Sequence, residues 1–328
     1  MNRHDRRKAK RFEAKRQHYV AKGYLEAWLA EEKQEHEEPF VWVFKREDDE
    51  WGEGKRKSPK KIFRESDMYT RLVGPDNQDR DISIEKALGR IEAAFCKVRR
   101  DFIEPMKPLT EDAIITLAVF AAATQFRTPG AREHIRSQWE PVLRTMKNMQ
   151  EQVQKMTPEE RKRLPRSFSR NSDEPSMEFE DVEKIVDAPL QNTLITHIQT
   201  VSRLLCHLNF SILHTSTDPG FITSDEPCVW FDPEAYKRGP MFRGPALKYK
   251  SLEITLPISP SRMLLISHQD FPEYFDVDEK DFAEMLVNDI NRRTCGYASS
   301  TVVVNRNEFR KIWAERGEPP PDAHPITD

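Results

Sequence analysis

The chain has 328 residues, of which 33% are charged and 37% hydrophobic, with a formal net charge of −3. That length suffices for one substantial core, or for two domains at about 150 residues each. The charge content exceeds the roughly 25% of an average globular chain, which points to long solvated helical faces. The balance of charge argues against a strongly basic nucleic-acid binder overall, and 11 glycines leave little material for glycine-rich phosphate loops.

Residues 1–17 form a basic arm that carries Arg3, Arg6, Arg7, Lys8, Lys10, Arg11, Lys15 and Arg16 against Asp5 and Glu13. It reads as a solvated terminus or as a segment that contacts nucleic-acid phosphates. A helix is expected from Tyr19 to Glu35, with Tyr24, Leu25, Trp28 and Leu29 as its apolar face. Phe40 to Phe44 reads as a strand, Trp51 as the start of its return, and Ile62 to Tyr69 as a weaker extended region. From Ile84 to Phe102 the residues Ile84, Leu88, Ile91, Phe95, Val98 and Phe102 recur at spacings of three and four, which predicts an amphipathic helix. Thr110 followed by Glu111 and Asp112 starts the next helix, which is apolar nearly all round to about Phe126. Pro129 opens a long polar helix that runs to about Met156.

Thr157 to Ser176 is the best internal loop. Helical periodicity returns through Leu190, Leu194, Ile198, Val201 and Leu205. Beyond Leu208 the pattern is β: Phe210–Leu213, Phe221–Thr223, Cys228–Phe231, Leu252–Ile258 and Met263–Ser267. A helix from Glu279 to Arg293 precedes a strand at Val302–Val304, and residues 317–328 form a proline-rich tail expected to be disordered.

The fold class expected is α+β, a central helical bundle packed with a small, mostly antiparallel sheet. Residues 18–316 are read as one domain with a helical block at 82–207, a mainly β region at 208–268 and C-terminal helices and strand at 278–316; two domains stay open. Cys96, Cys206, Cys228 and Cys295 lie far apart without a CxxC pair, so a reducing cytoplasm is the expected location. No signal peptide is visible, because the basic start is not followed by an apolar stretch. The most apolar run, Ala113 to Ala123, falls short of the roughly 20 residues a membrane span needs, so no membrane partner is expected.

Several chemistries lack their signature. There is no GxxxxGK loop, GxSxG elbow, HExxH pair or cysteine–histidine zinc spacing, so no nucleotide, flavin or zinc site is expected. The most informative stretch is Phe221-Ile222-Thr223-Ser224-Asp225-Glu226-Pro227, a strand end that delivers two hydroxyls and two carboxylates. Asp218, Asp225, Glu226 and Asp232 crowd this region, where they would hold Mg²⁺ or Mn²⁺ through oxygen ligands or close turns by bonding to backbone N–H groups. Nucleases of the restriction-endonuclease type place an acid on one strand and an acid–x–Lys on the next. Glu253 would supply the second acid here, but Thr255 stands where the lysine belongs.

Three further groups are candidates. His18 can exchange a proton near neutral pH and Tyr19 can orient a substrate, or the pair simply packs and caps. At the junction Gln125-Phe126-Arg127-Thr128-Pro129, Gln125 needs a partner if buried. Arg127 would there bind an anion or tie down an interhelical turn. Glu92 lies beside the apolar stripe, and pairing it with Arg127 fits a structural bridge or an active-site network.

Taken in order, these segments resemble a largely bacterial family, domain of unknown function 4238. Its opening His-Tyr-Val-Pro, then Tyr-Leu and an aromatic, is similar to His18-Tyr19-Val20-Ala21, Tyr24-Leu25 and Trp28. Its Gln-x-Arg-Thr-Pro turn resembles Gln125 to Pro129, its Phe-Ile-Thr-Ser-Asp-Asn-Pro segment Phe221 to Pro227, and its Leu-Pro-Leu-Ser-Pro Leu256-Pro257-Ile258-Ser259-Pro260. The chain departs from the pattern at Ala21, in place of proline, and at Glu226, in place of asparagine. The association of some members with defence against phage implies an intracellular effector.

The leading expectation is a cytoplasmic effector with metal-dependent phosphodiester hydrolase activity. Asp225, with Glu92, would hold Mg²⁺ or Mn²⁺, Arg127 would stabilise phosphate charge, and His18 would act as acid or base. Tyr19, Gln125 and Ser224 would bind substrate. The alternative is a non-catalytic binding or sensing module in which the same motifs lock a helix–sheet junction.

Overall fold

A computed structural model describes residues 16–32, 37–47, 50–74, 79–162, 177–279 and 282–315. The basic arm up to residue 15, residues 163–176 of the expected loop and the tail at 317–328 lie outside the described residues.

The chain opens with β1 (Arg16–His18), α1 (Lys22–Leu25) and a 3₁₀ turn at Glu26–Trp28. Then come β2 (Val41–Glu47), β3 (Glu50–Trp51), β4 (Lys55–Lys57), β5 (Arg64–Ser66), β6 (Arg71–Val73) and β7 (Asp79–Asp81). The helical stretch holds α2 (Ser83–Val98), α3 (Glu111–Phe126), α4 (Pro129–Lys155), α5 (Pro158–Lys162), α6 (Phe179–Asp187) and α7 (Pro189–Leu205). It is followed by β8 (Asn209–His214), β9 (Thr223–Ser224), β10 (Val229–Phe231), β11 (Glu253–Ser259), β12 (Arg262–Ser267) and β13 (Tyr274–Asp276). The chain continues with α8 (Ala283–Tyr297), β14 (Thr301–Val304) and α9 (Lys311–Ala314).

The helices form for the reasons their sequences give. Ile84, Leu88, Phe95 and Val98 make the buried stripe of α2, and Phe95 stacks on Phe120 of α3 with ring centroids 3.7 Å apart. The Thr110 hydroxyl caps α3 by accepting from the Ala113 amide at 3.2 Å, which satisfies one of the donors a helix start leaves free. Thr128 does the same for α4, accepting from Ala131 at 3.1 Å, with Pro129 at the first helical position where its missing N–H costs nothing. Among the described residues no helix is long and apolar enough to cross a membrane.

The sheets correct the expected architecture. Instead of one small sheet beside a central bundle, the described residues form two five-stranded sheets and two two-stranded ones. One large sheet runs β10-β11-β12-β8-β13, antiparallel except for the parallel β8–β13 pair. The other runs β3-β2-β14-β9, with β4 also paired to β2. Both lie between helices. On one side Ile212, Ile254, Leu264, Val41, Val43 and Val303 share a core with Leu88, Leu117, Phe120 and Leu194 of α2, α3 and α7. On the other side α8 serves both sheets. Its Val287 and Ile290 pack on Leu213, Phe221 and Met263. One turn on, Cys295 packs on Trp42, Phe44, Val302 and Trp313. The chain is mixed α+β with layered sheets, because their alternating faces are apolar on both sides and each needs a helical cover.

Local corrections have similar causes. The expected Tyr19–Glu35 helix is only α1 and a 3₁₀ turn, and it ends where Leu29 becomes extended. Trp28 is fully buried and its indole N–H donates to the Phe221 carbonyl at 3.0 Å, while the Ala30 amide bonds to Phe40. These tertiary bonds outweigh the helical periodicity. Within the expected loop at 157–176, α5 forms one short helix.

Candidate functional site

The Phe221–Pro227 segment is threaded into the middle of the molecule. It enters through Gly220, whose φ of +75° suits glycine and where a Cβ would collide with the Pro260 carbonyl. It then pairs antiparallel with β14, Thr223 opposite Val303 and Ser224 opposite Val302. The fully buried Asn291 of α8 reads its backbone with both amide atoms. Its Nδ2 donates to the Gly220 carbonyl at 2.8 Å, and its Oδ1 accepts from the Ile222 amide at 3.0 Å. The Thr223 hydroxyl bonds to the Tyr24 phenol at 2.7 Å. The Ser224 hydroxyl accepts from the Glu226 amide at 3.1 Å and closes the turn.

Asp225 is 4% exposed. One carboxylate oxygen accepts from the Ser299 amide at 2.9 Å; the other accepts from the Ser300 amide at 2.9 Å and the Ser300 hydroxyl at 3.1 Å. Burial raises its pKa, opposed by these donors from Ser300 and Ser299. Its neighbour Glu226 sits at the start of α4, accepting from the Gly130 amide at 3.2 Å and the Ser299 hydroxyl at 3.4 Å. Burial, joined by the Asp225 charge, lifts Glu226 to about 7 against hydrogen bonds from Thr128, Gly130 and Ser299. A carboxylate at a helix N-terminus is electrostatically favoured, yet the desolvation cost wins here.

Arg127 forms the second node, 3% exposed at the α3–α4 junction. Its guanidinium donates to Glu92 of α2 at 2.7 Å and to the His18 carbonyl at 2.5 Å, while its own carbonyl accepts from the Tyr69 phenol at 2.6 Å. The His18 imidazole is half-buried beside Pro59, Glu92 and Arg64, and burial lowers its pKa. Its Nε2 is buried without a partner among the described residues. Tyr19 is half-buried against Phe63, with ring centroids 5.7 Å apart. Burial, reinforced by the charges of Asp225, Glu65 and Glu226, holds its phenol well above the usual range. Gln125 is half-buried next to this node and enters none of its bonds among the described residues.

The structure therefore brings His18, Tyr19, Glu92, Arg127, Ser224 and Asp225 into one neighbourhood around the start of α4, but as an interior network. Arg127 and Glu92 bond to each other, and Asp225 bonds to a loop. The other carboxylates disperse. Asp218 pairs with Arg306, and Asp232 pairs with Arg238 in a separate loop. Glu253 pairs with Arg293, and its strand β11 belongs to a different sheet from β9, so the two-acid nuclease geometry does not form. Among the described residues no three His, Cys, Asp or Glu side chains are grouped to hold a metal. Glu92 and Asp225 do not fit a shared Mg²⁺ or Mn²⁺, because three N–H and O–H donors engage the Asp225 oxygens and the Arg127 guanidinium already holds Glu92 Oε1, so a cation there would displace donors and meet a like charge.

Residues 16–308 match the model of a family described as Protein of unknown function (DUF4238). The chain belongs to this family. Comparisons with curated proteins and with solved structures found no match. Within this DUF4238 chain, sequence reasoning missed Ser299, Ser300 and Asn291, which hold the conspicuous segment. Backbone donors carry no residue signature, and Asn291 sits in an otherwise ordinary helix. Glu226 was visible beside Asp225, but only the fold shows it against the start of α4.

Proposed function

We propose that this DUF4238 chain is a non-catalytic binding module whose recurring motifs fasten helices to sheets, leaving recognition to its exposed surfaces. The observation that carries this reading is the state of Asp225. Its two oxygens are engaged by three donors from Ser299 and Ser300, and it is 4% exposed. A catalytic carboxylate needs a free lone pair aimed at substrate, water or metal. Arg127 is likewise interior, 3% exposed with two of its nitrogens donating to Glu92 and to the His18 carbonyl, so a phosphate arriving from solvent does not reach it.

The phosphodiesterase reading, with its role in phage defence, is second. One observation favours it: Glu226, lifted to about 7, exchanges protons at neutral pH, as an acid–base catalyst must. A single set of assays separates the readings. Purified protein is incubated with RNA, DNA and nucleotides, with and without Mg²⁺ or Mn²⁺, beside Asp225→Asn and Glu226→Gln. The binding reading expects no turnover in any of them and a lowered melting temperature for Asp225→Asn. Metal-dependent cleavage that disappears in Glu226→Gln, with the variant still cooperatively folded, would overturn it.

A further inference from the structure

Between β10 and β11 the chain makes a long excursion, from Asp232 to Leu252, that has no counterpart in the motifs above. It is braced from within. The buried Asp232 carboxylate accepts from the Glu234 amide at 2.9 Å and the Ser251 hydroxyl at 2.7 Å, and it pairs with Arg238, so the two ends of the loop are tied at one point. Arg238 lies over the Tyr249 ring at 3.8 Å and donates to the Phe242 carbonyl at 2.9 Å. The Phe242 amide bonds back to Gly239 at 2.8 Å, and the His268 imidazole bonds to the Leu247 carbonyl at 2.7 Å.

What this frame holds up is apolar and exposed. Pro240–Phe242 form a 3₁₀ turn, with Met241 91% exposed and Phe242 60% exposed. Single exposed hydrophobes are commonplace, but two adjacent ones on a braced tip are a projection that gains nothing from the fold. Around them lie Lys237, Arg238, Arg243, Lys248 and Lys250, with no Asp or Glu from residue 236 to 251. Lys237 and Arg238 are paired with Glu234 and Asp232. Arg243, Lys248 and Lys250 are exposed and have no carboxylate partner among the described residues.

We propose that this loop docks the protein on an anionic lipid surface. An apolar tip enters the boundary between headgroups and acyl chains, and the collar of cations meets the anionic headgroups while its aliphatic stems stay with the tip. From residue 236 to 251 the loop carries charge of one sign, which complements an anionic bilayer. A nucleic acid would satisfy the cations, but it offers no apolar phase for Met241. Docking asks nothing of Asp225 or Arg127, so it stands apart from the reading of the motifs.

The test is sedimentation of the full chain with vesicles of phosphatidylcholine alone, or mixed with phosphatidylglycerol, at low and high salt. Binding is expected to the mixed vesicles and to weaken with salt. Met241→Ser with Phe242→Ser should weaken it about tenfold or more, from the lost burial of two apolar side chains. Lys248→Glu with Lys250→Glu should weaken it by at least about fivefold for each lysine removed, since each contributes roughly 1 kcal/mol near such a surface. Both variants should melt as the parent does. The basic residues of the arm can also attract an anionic surface, so the tip variants decide. Equal binding by parent and tip variants, or no binding to the mixed vesicles, would overturn the proposal. So would a loss of RNA or DNA binding in the tip variants where vesicles are ignored, which would make the loop a nucleic-acid reader.

Discussion

Two neighbouring stretches of this chain use the same device to opposite ends. In Gly220–Glu226, Asp225 gathers donors from Ser299 and Ser300, and its neighbours are bonded to Asn291, Trp28, Tyr24 and Gly130. In the loop from Asp232 to Leu252, Asp232 gathers donors from Glu234, Arg238 and Ser251. The first carboxylate draws a segment inward until its apolar residues are buried; the second holds a tip outward with Met241 and Phe242 in solvent. The segment that looks most like chemistry is thus the most constrained structurally. The loop without a motif is the one free to meet something else.

The comparison can be broken most forcefully at Asn291. Asn291→Ala leaves the Gly220 carbonyl and the Ile222 amide buried without partners, and should cost roughly 4 kcal/mol in urea unfolding, given about 1–3 kcal/mol for each unsatisfied group. A loss below about 1 kcal/mol would show that the segment is not held as described.

Glu226 gives the next largest effect, and its sign is set by its raised pKa. The folded state binds its proton more tightly than the unfolded chain, so stability is highest below about 4.5 and falls as pH rises through about 7. The whole shift corresponds to on the order of 3 kcal/mol. Glu226→Gln should remove that fall. His18 and His197, whose pKa values are lowered by burial, act oppositely as they become neutral with rising pH. The difference between parent and variant across pH 5 to 8, on the order of a few kcal/mol, is therefore the quantity to measure; parallel curves would remove Glu226 from the interior network. At the small end, Met241→Ser with Phe242→Ser should shift stability by no more than about 0.5 kcal/mol, as exposed side chains without partners do. A larger change would mean that the tip is packed.

Much of the fold was legible where one face of an element is apolar. The α2 stripe, the Thr110 cap, the helix start at Pro129 and four of the β runs after Leu208 are found where their patterns place them, while of Phe221–Thr223 only Thr223 is in a strand. The β1–β5 pair was not legible, because Arg16-Gln17-His18 opposite Arg64-Glu65-Ser66 presents no alternation. Strand pairing was hidden for a related reason. Nothing in the residues of β9 and β11 says that one joins β14 and the other joins β10 and β12. The candidate residues were legible as a group, since His18, Arg127 and Asp225 do gather around the start of α4. Their burial was not, because their partners include main-chain atoms of Ser299, Ser300 and His18.

Helix α8 touches both large sheets through consecutive turns, with Val287 and Ile290 on one and Cys295 on the other. Neither sheet can open its outer face without stripping the cover from its neighbour. The two layers are therefore expected to share one opening event, and the amides of Leu264 in β12 and Val303 in β14 should exchange with solvent as a single cooperative unit rather than as two.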